Sequence, residues 1–364
     1  MRIKETEHTT VVVIGAGATR GAYEGIGRQK IHPPLNADFF HVAEKFVQTP
    51  EGHRYAGAFK RLEAFVEKEM LLRSTDSFTM EQIFNVLFIS RDLPAVFSKG
   101  GRHRASGHRR EIEDFFRLVV GVLRYVQEHP RHPKHIDHYS TLVSMLQSGD
   151  TVVSLNYDTL MDIALLKAGW DARTGYGFSA THKIKGTLTR PFAFDDLELL
   201  KPHGSLNWSA KGTLKTYDKV LSNRPPALIQ VDPDPPAAYE IAKDRLVRFF
   251  IPPLYSKFFA NKFWAGLWDE TFQRMKKAED LIVIGCSLIE TDFHLRAIIG
   301  RAISSRKHKF ERITLVDPSA DVLGKLKSFL RGSSIRGFKT YRTFTEFILD
   351  TRQVGRPTPE MTGA

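Results

Sequence analysis

Four short, β-branched apolar runs punctuate the chain: Val11-Val12-Val13-Ile14, Thr151-Val152-Val153-Ser154-Leu155, Leu281-Ile282-Val283-Ile284 and Ile313-Thr314-Leu315-Val316. Each is too short for an amphipathic helix and ends in a polar or glycine-containing turn. That is the pattern of strands buried on both faces of a parallel sheet. A helix-like segment follows each run. The repeated βα rhythm predicts an α/β fold built on a Rossmann-like parallel sheet, with further strands at residues 227–231 and 246–251.

Residues 38–149 break this rhythm. Apolar residues recur there at helical spacing, in the sets Phe39, Phe40, Val42, Ala43, Phe46; Phe59, Leu62, Phe65, Val66; and Ile83, Phe84, Leu87, Phe88. Such stripes face a core. The stretch therefore reads as a helical bundle inserted into a sheet domain made of residues 1–37 and 150–350. Residues 351–364, with Pro357 and Pro359 and no apolar period, read as a disordered tail.

Composition narrows the classes. Hydrophobic residues at 42% and charged residues at 26% are globular values, which excludes disorder for the bulk of the chain. The formal charge of +12 favours anionic partners: nucleic acid, an acidic protein or a phosphate-bearing metabolite. Its densest piece, the loop 99–110, carries five Lys/Arg and no acid. That loop reads as a solvated linker or as a contact for nucleic acid or an acidic partner. It has no interleaved aromatic residue and so no stacking platform for single strands. The one cysteine, Cys286, excludes an internal disulfide and a four-cysteine zinc site, and favours a cytoplasmic setting. Neither a signal-peptide apolar region nor a membrane-length apolar run is present. The histidines from His129 to His135 lack the i, i+4 spacing of a metal site, so no metal is expected.

Five motifs can carry chemistry. Gly15-Ala16-Gly17-Ala18-Thr19-Arg20-Gly21 follows the first strand, where glycines let backbone N–H groups approach a phosphate. The third glycine of a dinucleotide fingerprint would stand where Arg20 does. Asn156-Tyr157-Asp158 closes the second strand, where an amide and a carboxylate can face a cleft; Asn156 as a strand terminator and Asp158 as a helix cap is the other reading. In Lys201-Pro202-His203-Gly204-Ser205 the proline and glycine fix His203 in a turn, and histidine titrates near neutrality as a general base should. The small residues of Gly285-Cys286-Ser287-Leu288, with Asp292 beyond, admit close approach of a ligand or of a helix. Asp317, at a late strand end, suits either ribose hydroxyls or an N-cap.

Taken in order, these motifs resemble the sirtuin family, in its bacterial branch of NAD hydrolases without a zinc module. Asn207-Trp208 and Ile251-Pro252-Pro253 with Lys257 are similar to that branch, and Asp38-Phe39 is similar to the segment that covers NAD, with Ala37 in place of its proline. The single cysteine departs from the protein-deacylating sirtuins, and residues 38–149 stand before Asn156 where acyl-lysine would enter. The resemblance implies NAD as substrate, no zinc, and cleavage of the nicotinamide–ribose bond. It implies that Asn156 positions ribose and water, that Asp158 orients nicotinamide or Asn156, and that His203 is the base. Gly15, Ala16, Gly17, Ala18 and Thr19 would hold the pyrophosphate by their backbone, helped by Arg20. Asp38 and Phe39 would cover NAD, and Gly285, Ser287, Leu288 and Asp317 would hold the adenosine half. It further implies an abortive-infection effector against phage, a homo-oligomer, a HerA-type ATPase partner, and nucleic acid reached through that partner or the basic loop. The alternative is a non-catalytic NAD or ADP-ribose sensor that regulates a nucleic-acid-acting partner.

Overall fold

The computed structural model describes residues 8–23, 31–69, 78–92, 109–128, 134–172, 174–178, 181–182, 196–211, 229–231, 246–251, 262–287, 293–306, 308–330 and 335–354. Ten strands are formed among them: β1 (Thr10–Ile14), β2 (Thr151–Ser154), β3 (Thr181–His182), β4 (Glu198–Leu200), β5 (Gly204–Lys211), β6 (Ile229–Val231), β7 (Leu246–Phe250), β8 (Asp280–Ile284), β9 (Arg312–Val316) and β10 (Gly337–Tyr341). Six make an all-parallel sheet in the order β10-β9-β8-β1-β2-β4. Numbered by appearance within that sheet, the order is 6-5-4-1-2-3, the doubly wound Rossmann arrangement. The four apolar runs are its centre.

The reason those runs are continuously apolar is visible in their packing. Val12, Ile14, Val152, Ile282, Ile284 and Val316 belong to one hydrophobic cluster, while Val11, Val13, Val153, Leu281, Val283, Ile313 and Leu315 belong to another. Successive side chains of a strand point to opposite faces, so each face feeds its own core.

Eleven α-helices surround the sheet among the described residues: α1 (Ala16–Ala22), α2 (Phe39–Val47), α3 (Ala56–Glu69), α4 (Met80–Asp92), α5 (Arg109–Glu128), α6 (Lys134–Val143), α7 (Leu160–Lys167), α8 (Lys262–Lys277), α9 (Phe293–Ser304), α10 (Ala320–Phe329) and α11 (Phe344–Val354). The predicted stripes of α2, α3 and α4 lie in the same cluster as Val12 and Ile14, so the helices between β1 and β2 share their core with the sheet. Phe84 stacks on Phe115 with ring centroids 4.1 Å apart, and Arg61 of α3 grips the buried Asp114 of α5 through two hydrogen bonds of 2.6 and 3.0 Å. Helices α9 and α10 cover the opposite face.

The strands expected near 227–231 and 246–251 form as β6 and β7, in a second sheet ordered β3-β6-β5-β7. There β5 is antiparallel to both its neighbours. Among the described residues, no helix is long and apolar enough to cross a membrane.

Candidate functional site

At the centre of the parallel sheet the strand order reverses between β1 and β8, and ligands of open α/β sheets bind in the crevice outside such strand ends. Here the two turns interlock. Gly15 N–H donates to Ile284 O (3.0 Å), Gly17 N–H to Gly285 O (2.9 Å) and Gly285 N–H to Val316 O (2.9 Å). Gly285 has φ +55°, and a Cβ there would lie 2.0 Å from Ala18 N. A Cβ on Gly15 or Gly17 would come within 2.5 or 2.8 Å of Gly285 O. These glycines are required because backbone meets backbone.

That corrects one expectation. The amides of Gly15, Gly17 and Ala18, read as part of a phosphate cradle, are engaged by backbone carbonyls, Ala18 N–H reaching Gly15 O at 3.0 Å. Gly285→Ala is expected to lower stability by about 3 kcal/mol or more, because left-handed backbone and steric overlap coincide. A denaturant melt checks this.

A cavity of about 650 Å³ opens over the interlocked turns, within the ~300–1,000 Å³ range of small-molecule sites. Gly15, Ala16, Gly17, Thr19, Arg20, Phe39, Asn156, Asp158, His203, Gly285, Ser287 and Asp317 all line it. Ala18 and Asp38 do not; Ala18 is buried beneath the Gly285 turn. Asp38 accepts the Arg20 guanidinium through Oδ2 and the Leu35 N–H through Oδ1 (2.6 Å), while Arg20 Nε donates to Pro33 O (2.5 Å). Arg20 and Asp38 thus clamp the segment from Pro33 to Asp38 onto α1. Arg20 lines the cavity while also holding this segment. Leu288 and Asp292, Pro252, Pro253 and Lys257, the basic loop 99–108, the histidine-rich 129–133 and the tail from 355 lie outside the described residues.

Asn156 ends β2 with its amide fixed. Nδ2 donates to Gly15 O (3.0 Å) and to Thr19 Oγ1 (3.2 Å), so the carbonyl Oδ1 is the atom left to meet a ligand. Thr19 in turn donates to Asp158 Oδ2 (2.8 Å) and lies 2.9 Å from the Tyr139 hydroxyl. Asp158, one residue ahead of the α7 N-cap Thr159, accepts Leu160 N–H through Oδ1 (3.2 Å). Burial raises the Asp158 pKa; the Lys201 charge and the hydrogen bonds from Thr19 and Leu160 oppose that rise.

His203 stands in the turn before β5. Its Nδ1–H donates to Leu155 O (3.2 Å), an acceptor only, which makes Nε2 the basic nitrogen of the neutral ring. The Trp268 ring packs edge-on against it at 5.5 Å. Asp317 accepts Ser319 N–H through Oδ1 (2.9 Å) and is not the N-cap, because α10 starts at Ala320 with Ser319 in that place. Burial raises its pKa, opposed by that hydrogen bond.

Beneath the site lies a polar network that the sequence reading did not isolate. Lys201 Nζ donates to Asp158 O (2.6 Å) and pairs with Asp162 Oδ2 (3.0 Å), both side chains wholly enclosed. Tyr176 donates to Asp162 Oδ1, and Asn207 Nδ2 donates to the Tyr176 hydroxyl (3.1 Å). The available signal was Asp162 within the otherwise apolar run Leu160-Met161-Asp162-Ile163-Ala164-Leu165: a carboxylate on a buried helix calls for a cation. Gln127 of α5 was also missed. It receives Thr159 N–H (3.1 Å) and donates to Thr159 Oγ1 (2.5 Å), tying the helical layer to the start of α7. Among the described residues, no group of three His, Cys, Asp or Glu side chains is placed to hold a metal ion.

No protein-family model matches the chain, and the search of curated proteins returns no match. Solved structures that align with it include a Sir2 with a p53 peptide and NAD+, at 12% identity over 95% of this chain and 93% of that one, with a TM-score of 0.39. Sir2Tm bound to a propionylated peptide aligns at 11% identity over 95% and 93%, with a TM-score of 0.37. At such values these alignments carry no functional inference, and the site stands on its own geometry.

Proposed function

We propose that the chain binds NAD in this cavity and hydrolyses its nicotinamide–ribose bond. The observation that carries the reading is the fixed amide of Asn156. With Nδ2 held by Gly15 O and Thr19, Oδ1 is presented to a cleft that His203 and Asp158 also line, at the reversal point of a doubly wound sheet. The five ordered motifs quoted above support the same reading.

The chemistry needs few groups. In NAD the nicotinamide nitrogen is already cationic, so the C1′–N bond breaks with its electron pair passing to that nitrogen and no general acid is required. An oxocarbenium-like ribose develops, as in glycoside cleavage. Water adds to C1′, and its proton passes to His203 Nε2; the products are nicotinamide and ADP-ribose. Asn156 Oδ1 accepts a hydrogen bond from the attacking water or a ribose hydroxyl and so holds it in line. Asp158 acts on Asn156 through the bridging Thr19 hydroxyl and faces the nicotinamide end. Gly285, Ser287, Leu288 and Asp317 take the adenosine half, with Asp317 Oδ2 as the ribose acceptor.

By the same resemblance the proposal extends to the cell: a cytoplasmic homo-oligomer that depletes NAD during phage infection, partnered with a HerA-type ATPase, with the basic loop 99–110 facing the partner or nucleic acid. Purified protein, alone and with its assembly partner, is expected to convert NAD to nicotinamide and ADP-ribose by chromatography. His203→Ala is expected to slow release about a hundredfold or more. Calorimetric NAD binding with no nicotinamide formed under either condition would overturn the hydrolase and leave the sensor.

A further inference from the structure

We infer that Tyr139, from the helical layer, is a positioning residue for this site: its hydroxyl fills the remaining position on Thr19 and holds that side chain where it orients Asn156 and Asp158. The inference rests on the NAD-hydrolase reading and deepens it.

Thr19 Oγ1 has three partners, two from the turn after β2 and one from α6: Asp158 Oδ2 at 2.8 Å, Asn156 Nδ2 at 3.2 Å and Tyr139 Oη at 2.9 Å. A hydroxyl has one proton and two lone pairs. The amide Nδ2 only donates, and an ionised carboxylate only accepts. Thr19 therefore gives its proton to Asp158, takes one from Asn156, and has one lone pair for Tyr139, which must donate. All positions on Thr19 are then filled, and its rotor has a single satisfied orientation.

Tyr139 is held for this task. It is 1% exposed, and burial keeps its hydroxyl protonated far above neutrality, so it remains a donor. Its ring meets Phe344 of α11 edge-on at 5.7 Å, and the adjacent His138 ring nitrogen bonds Thr345 Oγ1 at 2.9 Å. Phe344 also lines the cavity. Tyr139 and Thr19 are 120 residues apart in sequence, so this hydroxyl contact carries the helical layer to the side chain that bridges Asn156 and Asp158. Removing the hydroxyl while keeping the ring leaves one Thr19 lone pair unfilled in a buried site, and Thr19 loses one of the three contacts that hold it between Asn156 and Asp158.

The test uses the whole chain. Tyr139→Phe is expected to lower kcat for nicotinamide release about 10- to 100-fold, the scale of a displaced catalytic group, with KM for NAD changed less than about threefold. Thr19→Val is expected to produce a similar loss. The double variant should lose no more than the worse single one, since both break the same relay. Wild-type kcat in Tyr139→Phe, a loss confined to KM, or losses that multiply in the double variant would overturn the inference. Should the wild-type chain release no nicotinamide, the hydrolase reading fails by itself. Positioning is then read from the Asn156 side-chain NH2 signals in asparagine-labelled protein: equal displacement by both single variants supports it, and unmoved signals overturn it.

Discussion

Replacing Asn156 by alanine is expected to cut nicotinamide release by at least about a hundredfold while leaving NAD affinity within a few-fold. The amide is already fixed before substrate arrives, because Gly15 O and Thr19 Oγ1 take both Nδ2 hydrogens. Its Oδ1 is therefore a pre-set acceptor for the group that attacks C1′, and such pre-set alignment is worth several kcal/mol of barrier. Binding draws on other parts of the cavity, from the Gly285 turn to Asp317. The loss should thus fall on kcat and not on the dissociation constant. Single-turnover release with calorimetry on the same sample separates the two. Unchanged release in a folded Asn156→Ala protein would sink the assignment.

The largest expected effect on stability comes from Lys201→Met. That change leaves Asp162 wholly enclosed with its cation gone and removes the donor to Asp158 O. Breaking one side of a buried pair costs about 3–5 kcal/mol, because the remaining charge is left unpaired. Combining it with Asp162→Asn should recover part of the loss, since Tyr176 and Asn207 still offer hydrogen bonds to a neutral amide. Urea midpoints for the two single variants and the pair give the coupling. Fully additive losses would show that Lys201 and Asp162 do not act as a unit. Because Lys201 stands two residues before His203, the damage should also reach the turn that holds His203.

The central strands were legible because both faces of β1, β2, β8 and β9 are covered, which leaves an unbroken apolar run in the sequence. β10 escaped notice for the opposite reason: it is an edge strand whose Phe338, Lys339 and Thr340 are exposed. β4 is only three residues long. At the site, the glycines of the first turn were read for phosphate approach, and the structure shows the Gly15 and Gly17 amides bonded to backbone carbonyls. A glycine needed for phosphate approach and one needed for contact with another turn look alike until Gly285 is seen against Gly15 and Gly17. Thr19 was read for its backbone alone, and its side chain also bridges Asn156 and Asp158. Arg20 and Asp38 pair with one another, a contact between a helix and a loop that spacing alone does not encode.

The central position of β1 bears on how the molecule assembles. Thr9 and Thr10, at its start, bond Glu279 and Asp150, partners 270 and 140 residues away. β1 is thus paired on both sides by strands made much later, one of them some 270 residues further along. Contacts of such separation close slowly. The helices from α2 to α6 are complete before either partner of β1 exists, so Val12 and Ile14 have a helical surface to rest on while the sheet is unfinished. Mutations that loosen that surface should first appear as poor recovery of folded protein during synthesis, ahead of any change in the finished molecule.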